Sequence, residues 1–137
     1  MEVAQAISQR FVPVRLYLGQ DREATRTYRP FWTPTLFFLD PAGHALMDWP
    51  GVIPADAILA LLDLGDALVG LRRGRFTEAI ELLSGIPERD PESVFAPEAI
   101  WWEGVVRHVA QGDAQALDRS RRDILRRYPA SAAALRV

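Results

Sequence analysis

The hydrophobic rhythm of this chain changes near Pro54. Before that point short apolar runs are broken by Gly and Pro; after it, apolar residues recur three and four positions apart. Val3, Ala6, Ile7 and Arg10 stand at helical spacing, so 2–10 reads as the end of an amphipathic helix. Phe11-Val12-Pro13-Val14-Arg15-Leu16-Tyr17-Leu18 is rich in β-branched and aromatic residues and closes on Gly19, which predicts a strand over 11–18. Pro13 cannot donate to a ladder and favours an edge position for that strand. Residues 21–28 read as a short polar helix stopped by Pro30. Leu36-Phe37-Phe38-Leu39 is a buried-type strand, Asp40-Pro41-Ala42-Gly43 suits a type I turn, and His44 to Trp49 returns as a second strand. A β-hairpin over 36–49 follows, broken at Gly51.

From Pro54 onward no strand signal recurs. Ile58, Leu59, Leu61, Leu62 and Leu64 open a helix with Pro54 in its first turn. The remainder reads as helix, turn, helix, punctuated by Gly74, Pro87, Pro91, Gly112 and Pro129. Gly74 and Gly112, Pro91 and Pro129, Ser93 and Ser131, and Ala96 and Ala134 all lie 38 positions apart. Four coincidences at one offset point to two copies of a helical-hairpin unit. Within them, Gly74-Arg75-Phe76-Thr77-Glu78-Ala79-Ile80 has a Gly-x-aromatic-x-x-Ala arrangement, and Tyr128-Pro129-Ala130-Ser131-Ala132-Ala133-Ala134 a Tyr-Pro-x-Ser-x-x-Ala one. Residues 64–137 therefore resemble the tetratricopeptide class in a degenerate form, with a generic helical bundle as the alternative. The hairpins should turn near Arg75 and Gly112, with Ala79 buried at a helix–helix contact.

Composition removes whole classes of chemistry. All 16 basic residues are Arg; there is no Lys and no Asn, a GC-rich bias that reads as bacterial. Schiff-base lysines and a P-loop lysine are thereby excluded. Zero Cys removes disulfides, thiolate nucleophiles and cysteine-ligated metals. His44 and His108, far apart in sequence, read as surface or packing residues, so neither a metal site nor a cofactor is expected. A net charge of −2 gives no electrostatic reason to expect nucleic acid or an anionic membrane as partner. No apolar run approaches the ~20 residues that cross a bilayer. The opening MEVAQAISQR lacks the features of a signal peptide, which makes the cytoplasm the expected compartment.

The order of elements in the first half carries a second resemblance. A strand and a short helix lead to Trp32-Thr33-Pro34-Thr35, then to Leu36-Phe37-Phe38-Leu39-Asp40-Pro41-Ala42-Gly43, a second strand and Gly51. This resembles the thioredoxin-like family over about residues 2–65. The resemblance implies a cis Pro34 beside the position of the family's active-site cysteines. It also implies that the backbone of Thr33 pairs with an extended substrate peptide. The family's Cys-x-x-Cys and central strand are not in this sequence. A misassigned Met1, a fragment and a natural degenerate relative are the open explanations. In the family that central strand lies between the strands corresponding to 11–18 and 36–40. Its absence makes those two pair directly or leaves each with unpaired backbone groups.

Other features are weaker. Trp101 and Trp102 are adjacent and so face different sides of a helix; Trp102 is the candidate to line a concave groove, with packing against the first domain as its alternative. Arg119, Arg121, Arg122, Arg126 and Arg127 read as a solvated face suited to a helix C-terminus, ahead of a phosphate site. Nothing in the spacing of Asp63, Asp66, Glu78, Glu81, Glu98 and Glu103 selects a catalytic pair. The expected fold is α/β: an incomplete thioredoxin-like domain over 1–63, followed by all-α tetratricopeptide-like hairpins over 64–137. The expected function is non-catalytic protein–protein interaction, with a thiol–disulfide oxidoreductase fragment as the alternative. The expected partner is a protein, an extended peptide or a second copy of the chain, held by Trp32, Thr33, Pro34 and Trp102; neither nucleic acid nor membrane is expected.

Overall fold

A computed structural model describes residues 2–137 of the chain. It divides into two compact units, Met1–Leu59 and Ala60–Val137. The first holds α1 (Val3–Arg10), α2 (Arg22–Tyr28), β1 (Thr35–Leu39) and β2 (Ala45–Pro50). α3 (Ala55–Arg72) begins in the first unit and supplies the second, which continues with α4 (Phe76–Arg89), α5 (Ala96–Gln111), α6 (Ala114–Arg127) and a 3₁₀ turn at Ala133–Leu135. No helix of the described residues is long and apolar enough to cross a membrane.

In the first unit β1 and β2 form an antiparallel hairpin that pairs Leu36 with Trp49, Phe37 with Asp48 and Phe38 with Met47, with a bulge beyond Phe38. The turn is built on one carboxylate. Asp40 Oδ1 accepts the amides of Ala42 and His44, both at 2.9 Å, while Oδ2 meets His44 Nδ1 at 3.1 Å. The His44 amide, followed by its ring, holds the Asp40 carboxyl below the ordinary carboxylate value against some opposing desolvation. Gly43 completes the turn at φ +86°, a conformation side chains disfavour. Alternate strand positions point to opposite faces, and an aromatic neighbour meets each face. Phe11 packs edge-on against buried Phe38 with centroids 5.7 Å apart, and Tyr28 meets Phe37 at 5.6 Å while donating its hydroxyl to Gly43 O.

The strand expected at 11–18 does not form. Residues 11–17 are irregular, and 18–20 turn into α2. Among the described residues, no backbone–backbone hydrogen bond involves residues 12–16. β propensity alone cannot hold a strand; a ladder needs a neighbour within hydrogen-bonding distance, and β1 pairs with β2 alone. Direct pairing of 11–18 with 36–40 is therefore not what the chain adopts. The segment ends where Asp21 takes over, its carboxylate accepting the Tyr17 amide at 2.6 Å.

In the second unit α3 and α4 run antiparallel: Gly70 faces Ala79, and Asp63 pairs with Arg89 near the other end. Ala79, Leu83 and Ile86 give α4 its buried stripe. α5 and α6 repeat the arrangement. Ile100 packs with Ile124, and Gly104 lies against Ser120. The 38-residue offset is visible in the backbone. Gly74 and Gly112 both take left-handed conformations at the hairpin turns (φ +76° and +67°), and Ile86 and Ile124, both buried, accept the amides of Asp90 and Tyr128. After each hairpin a serine hydroxyl then accepts a nearby amide: Phe95 N–H to Ser93 at 3.3 Å, Ala134 N–H to Ser131 at 3.2 Å. Pro87 departs from its expected role as punctuation. It lies inside α4, buried in the last turn, where its missing N–H costs a single bond before the helix ends at Arg89.

Candidate binding surface

Three stretches of the first unit carry exposed apolar side chains. Val12 (89%), Val14 (73%) and Leu16 (50%) are exposed along the unladdered segment, and Phe31 (82%) and Trp32 (62%) along the loop before β1. The third is β1 itself, whose outer edge has no strand partner among the described residues. Val12, Val14 and Leu16 alternate with Pro13, Arg15 and Tyr17, so in an extended conformation they would share one face.

The hydrogen-bond alternation defines that edge. Gly51 donates to Pro34 O at 2.7 Å, and Asp40 to His44 O at 2.9 Å. Between these anchors the even-numbered residues of β1 bond to β2, and Thr35, Phe37 and Leu39 direct their peptide groups away from it. The same alternation turns Asp48 and Pro50 of β2 outward. A proline and a carboxylate blunt the β2 edge against further pairing. β1 offers a threonine, a phenylalanine and a leucine, with no such guard. The hairpin is open on one side.

Thr33–Pro34 is a cis peptide bond, as the resemblance implied. Its loop is tied down on both sides, by Thr35 Oγ1 donating to Trp32 O at 2.7 Å and by the Gly51 bond to Pro34. Trp32, Thr33 and Pro34 are exposed together at the entrance to β1. The Thr33 backbone makes no hydrogen bond among the described residues. Residues 1–65 match the family model of the thioredoxin-like domain. No curated protein and no solved structure matches the chain. The thioredoxin-like stretch thus contains Trp32, Thr33 and Pro34 and, in this sequence, no thiol.

Trp102 belongs to the second unit, half-buried on α5. A groove of about 560 Å³ does lie between α4, α5 and α6. The α5 residues that line it are Ile100, Glu103, Gly104 and Arg107; Trp102 is not among them, because it sits on another side of the helix. Trp101 packs against the cluster of Ile100, Ile124 and Ala133. The groove's cations are engaged within the fold: Arg107 with Glu103, Arg119 with Asp113, and Arg127 with Asp123. Burial pushes the Asp123 carboxyl up, yet Arg126 and Arg127 together hold it below its ordinary value. The arginines that line the groove are thus paired with carboxylates of the same unit.

Sequence reasoning missed the difference between the two hairpin edges. Part of the signal was present: Asp48 falls on the second strand of the predicted hairpin, and Pro50 follows directly after it. Reading it required the register.

Proposed function

We propose that this chain is a non-catalytic protein-interaction module whose thioredoxin-like stretch, residues 1–63, binds an extended polypeptide. Residues 64–137 are a tetratricopeptide-like pair of hairpins. The repeated left-handed glycines, buried isoleucines and serine caps at one offset support that second assignment. The observation that carries the binding reading is the unguarded β1 edge with the exposed Trp32–Pro34 loop leading into it, in a unit that also exposes Val12, Val14 and Leu16. An extended chain laid along β1 gains main-chain hydrogen bonds from Thr35, Phe37 and Leu39, while Trp32 and its neighbours supply apolar contact. Burial of such surface stabilises by about 25 cal/mol per Å². With no thiolate the chain cannot exchange disulfides.

A second reading takes the chain as part of a thiol–disulfide oxidoreductase, and the family match over 1–65 supports it. One experiment tests the binding reading, since both readings expect reduction at the blank rate from a chain that holds no thiol. A short extended peptide alternating Val and Thr is titrated into the labelled chain, with insulin reduction by dithiothreitol run in parallel. The binding reading expects shifts at the Trp32 indole and at the amides of Thr33, Thr35 and Phe37, a tenfold weaker affinity for Trp32→Ala, and reduction at the blank rate. Reduction above blank would overturn the non-catalytic half; an unmoved Trp32–Phe37 stretch at saturating peptide would overturn the binding half.

A further inference from the structure

We propose that a second copy of this chain occupies the open edge of β1, with residues 12–16 of each copy added as a strand to Thr35–Leu39 of the other. This rests on the binding reading above and names its occupant.

The donor and the acceptor are both present in the one sequence, and neither is used within it. Residues 12–16 make no backbone–backbone hydrogen bond among the described residues, and Val12, Val14 and Leu16 stand exposed. Among the described residues, β1 has no strand on its outer side. Phe11 fixes the root of the donor by its edge-on contact with Phe38, and residues 12–16 after it make no backbone–backbone hydrogen bond among the described residues. They are free to reach another copy.

The position of Pro13 sets the orientation of the added strand. A strand's amides point alternately to its two sides, and a proline is tolerated where its missing N–H faces outward. With Pro13 on the far side, Arg15 and Tyr17 also turn their peptide groups outward, and those of Val12, Val14 and Leu16 face β1. The same set places Val12, Val14 and Leu16 on one face, in register with an acceptor edge that is itself uncharged. Arg15, the donor's single charge, lies over the Tyr17 ring at 5.3 Å.

The assembly is finite. Each three-stranded sheet would end at Pro50 and Asp48 on one side and at Pro13 on the other, so both edges are blunted. The proposed exchange closes between two copies, each donating its strand to the other and accepting the other's, which makes the dimer two-fold symmetric and leaves no donor or acceptor unfilled.

Sedimentation velocity over a concentration series tests this, with Leu16→Pro as the donor variant and Leu39→Lys as the acceptor variant. Both side chains are exposed, and circular dichroism checks that each variant folds. The wild type should dimerise reversibly, and each variant alone should dissociate at least tenfold more readily. Mixing the two restores one intact ladder, so the mixture should associate more tightly than either variant alone. Pro13→Ala, which returns a donor to the far edge, should form species larger than a dimer. A strictly monomeric wild type, a dimer indifferent to both substitutions, or a mixture no tighter than its components would overturn the proposal. If the wild type is monomeric while the Val–Thr peptide still shifts Thr35 and Phe37, the second copy is the wrong occupant and the binding reading stands. If the peptide shifts nothing either, both fail.

Discussion

Replacing Ala79 with arginine should leave the helical unit unable to fold. Ala79 has no exposed surface, and a Cβ built on Gly70 of α3 would lie 3.4 Å from its methyl group. The two helices approach closely because both residues are small. A guanidinium there meets two costs at once. Overpacking costs about 1–3 kcal/mol, and an uncompensated buried charge costs about 3–5 kcal/mol. Together these consume most of the roughly 5–15 kcal/mol that keeps an ordinary domain folded. A thermal melt by circular dichroism should show no cooperative transition for Ala79→Arg, with Ala79→Gly folding at a reduced Tm. A near-wild-type Tm for the arginine variant would place Ala79 on the surface and remove the α3–α4 contact.

The second large effect is expected at Gly104. In an exposed helix interior, exchanging Gly for Ala gains about 1 kcal/mol from helix propensity. At this position the sign reverses. A Cβ on Gly104 would lie 2.3 Å from Ser120 Oγ, 2.9 Å from Ser120 Cβ and 3.1 Å from the Ala116 carbonyl oxygen. The carbonyl cannot rotate away, so α5 and α6 must separate. Gly104→Val should lower stability by about 3 kcal/mol, the upper end for overpacking, read as a fall in urea midpoint with unchanged slope. Ser120→Gly in the same chain should recover part of that loss, since it removes the two nearest atoms. Full stability in Gly104→Val would show that α5 and α6 do not pack through this pair.

The helical half was the more legible in the sequence, for a physical reason. A helix closes its hydrogen bonds within itself, so the Gly-x-aromatic-x-x-Ala spacing sufficed to place Ala79 at a buried helix–helix contact. The left-handed turns were equally visible, because Gly74 and Gly112 are the residues that such turns favour. Residues 11–18 were misread because strand formation is decided by a neighbour. Phe11 to Leu18 has the composition of a strand, yet its amides find no ladder. Pro87 misled in the opposite direction: a helix about to end tolerates a proline in its last turn. The Trp32–Pro34 loop could be named from its motif, whereas the open edge beside it emerged only from the register that turns Asp48 and Pro50 outward on β2. Trp102 could not be assigned a side from adjacency to Trp101 alone; its place depends on which face of α5 meets α4 and α6.

The central claim is that the thioredoxin-like stretch presents unpaired backbone along 12–16 and along the outer edge of β1. Amide hydrogen exchange on the dilute, monomeric chain, read residue by residue by NMR, tests it most directly. Val12, Val14, Arg15, Leu16, Thr35 and Phe37 should exchange near the rate of an unstructured peptide, while Leu36 and Phe38, bonded to β2, are slowed. Adding the Val–Thr peptide should then slow Thr35 and Phe37. Protection of residues 12–16 together with Phe37 in the free monomer would contradict the account, because it would mean that the sheet closes on itself and leaves no edge to bind.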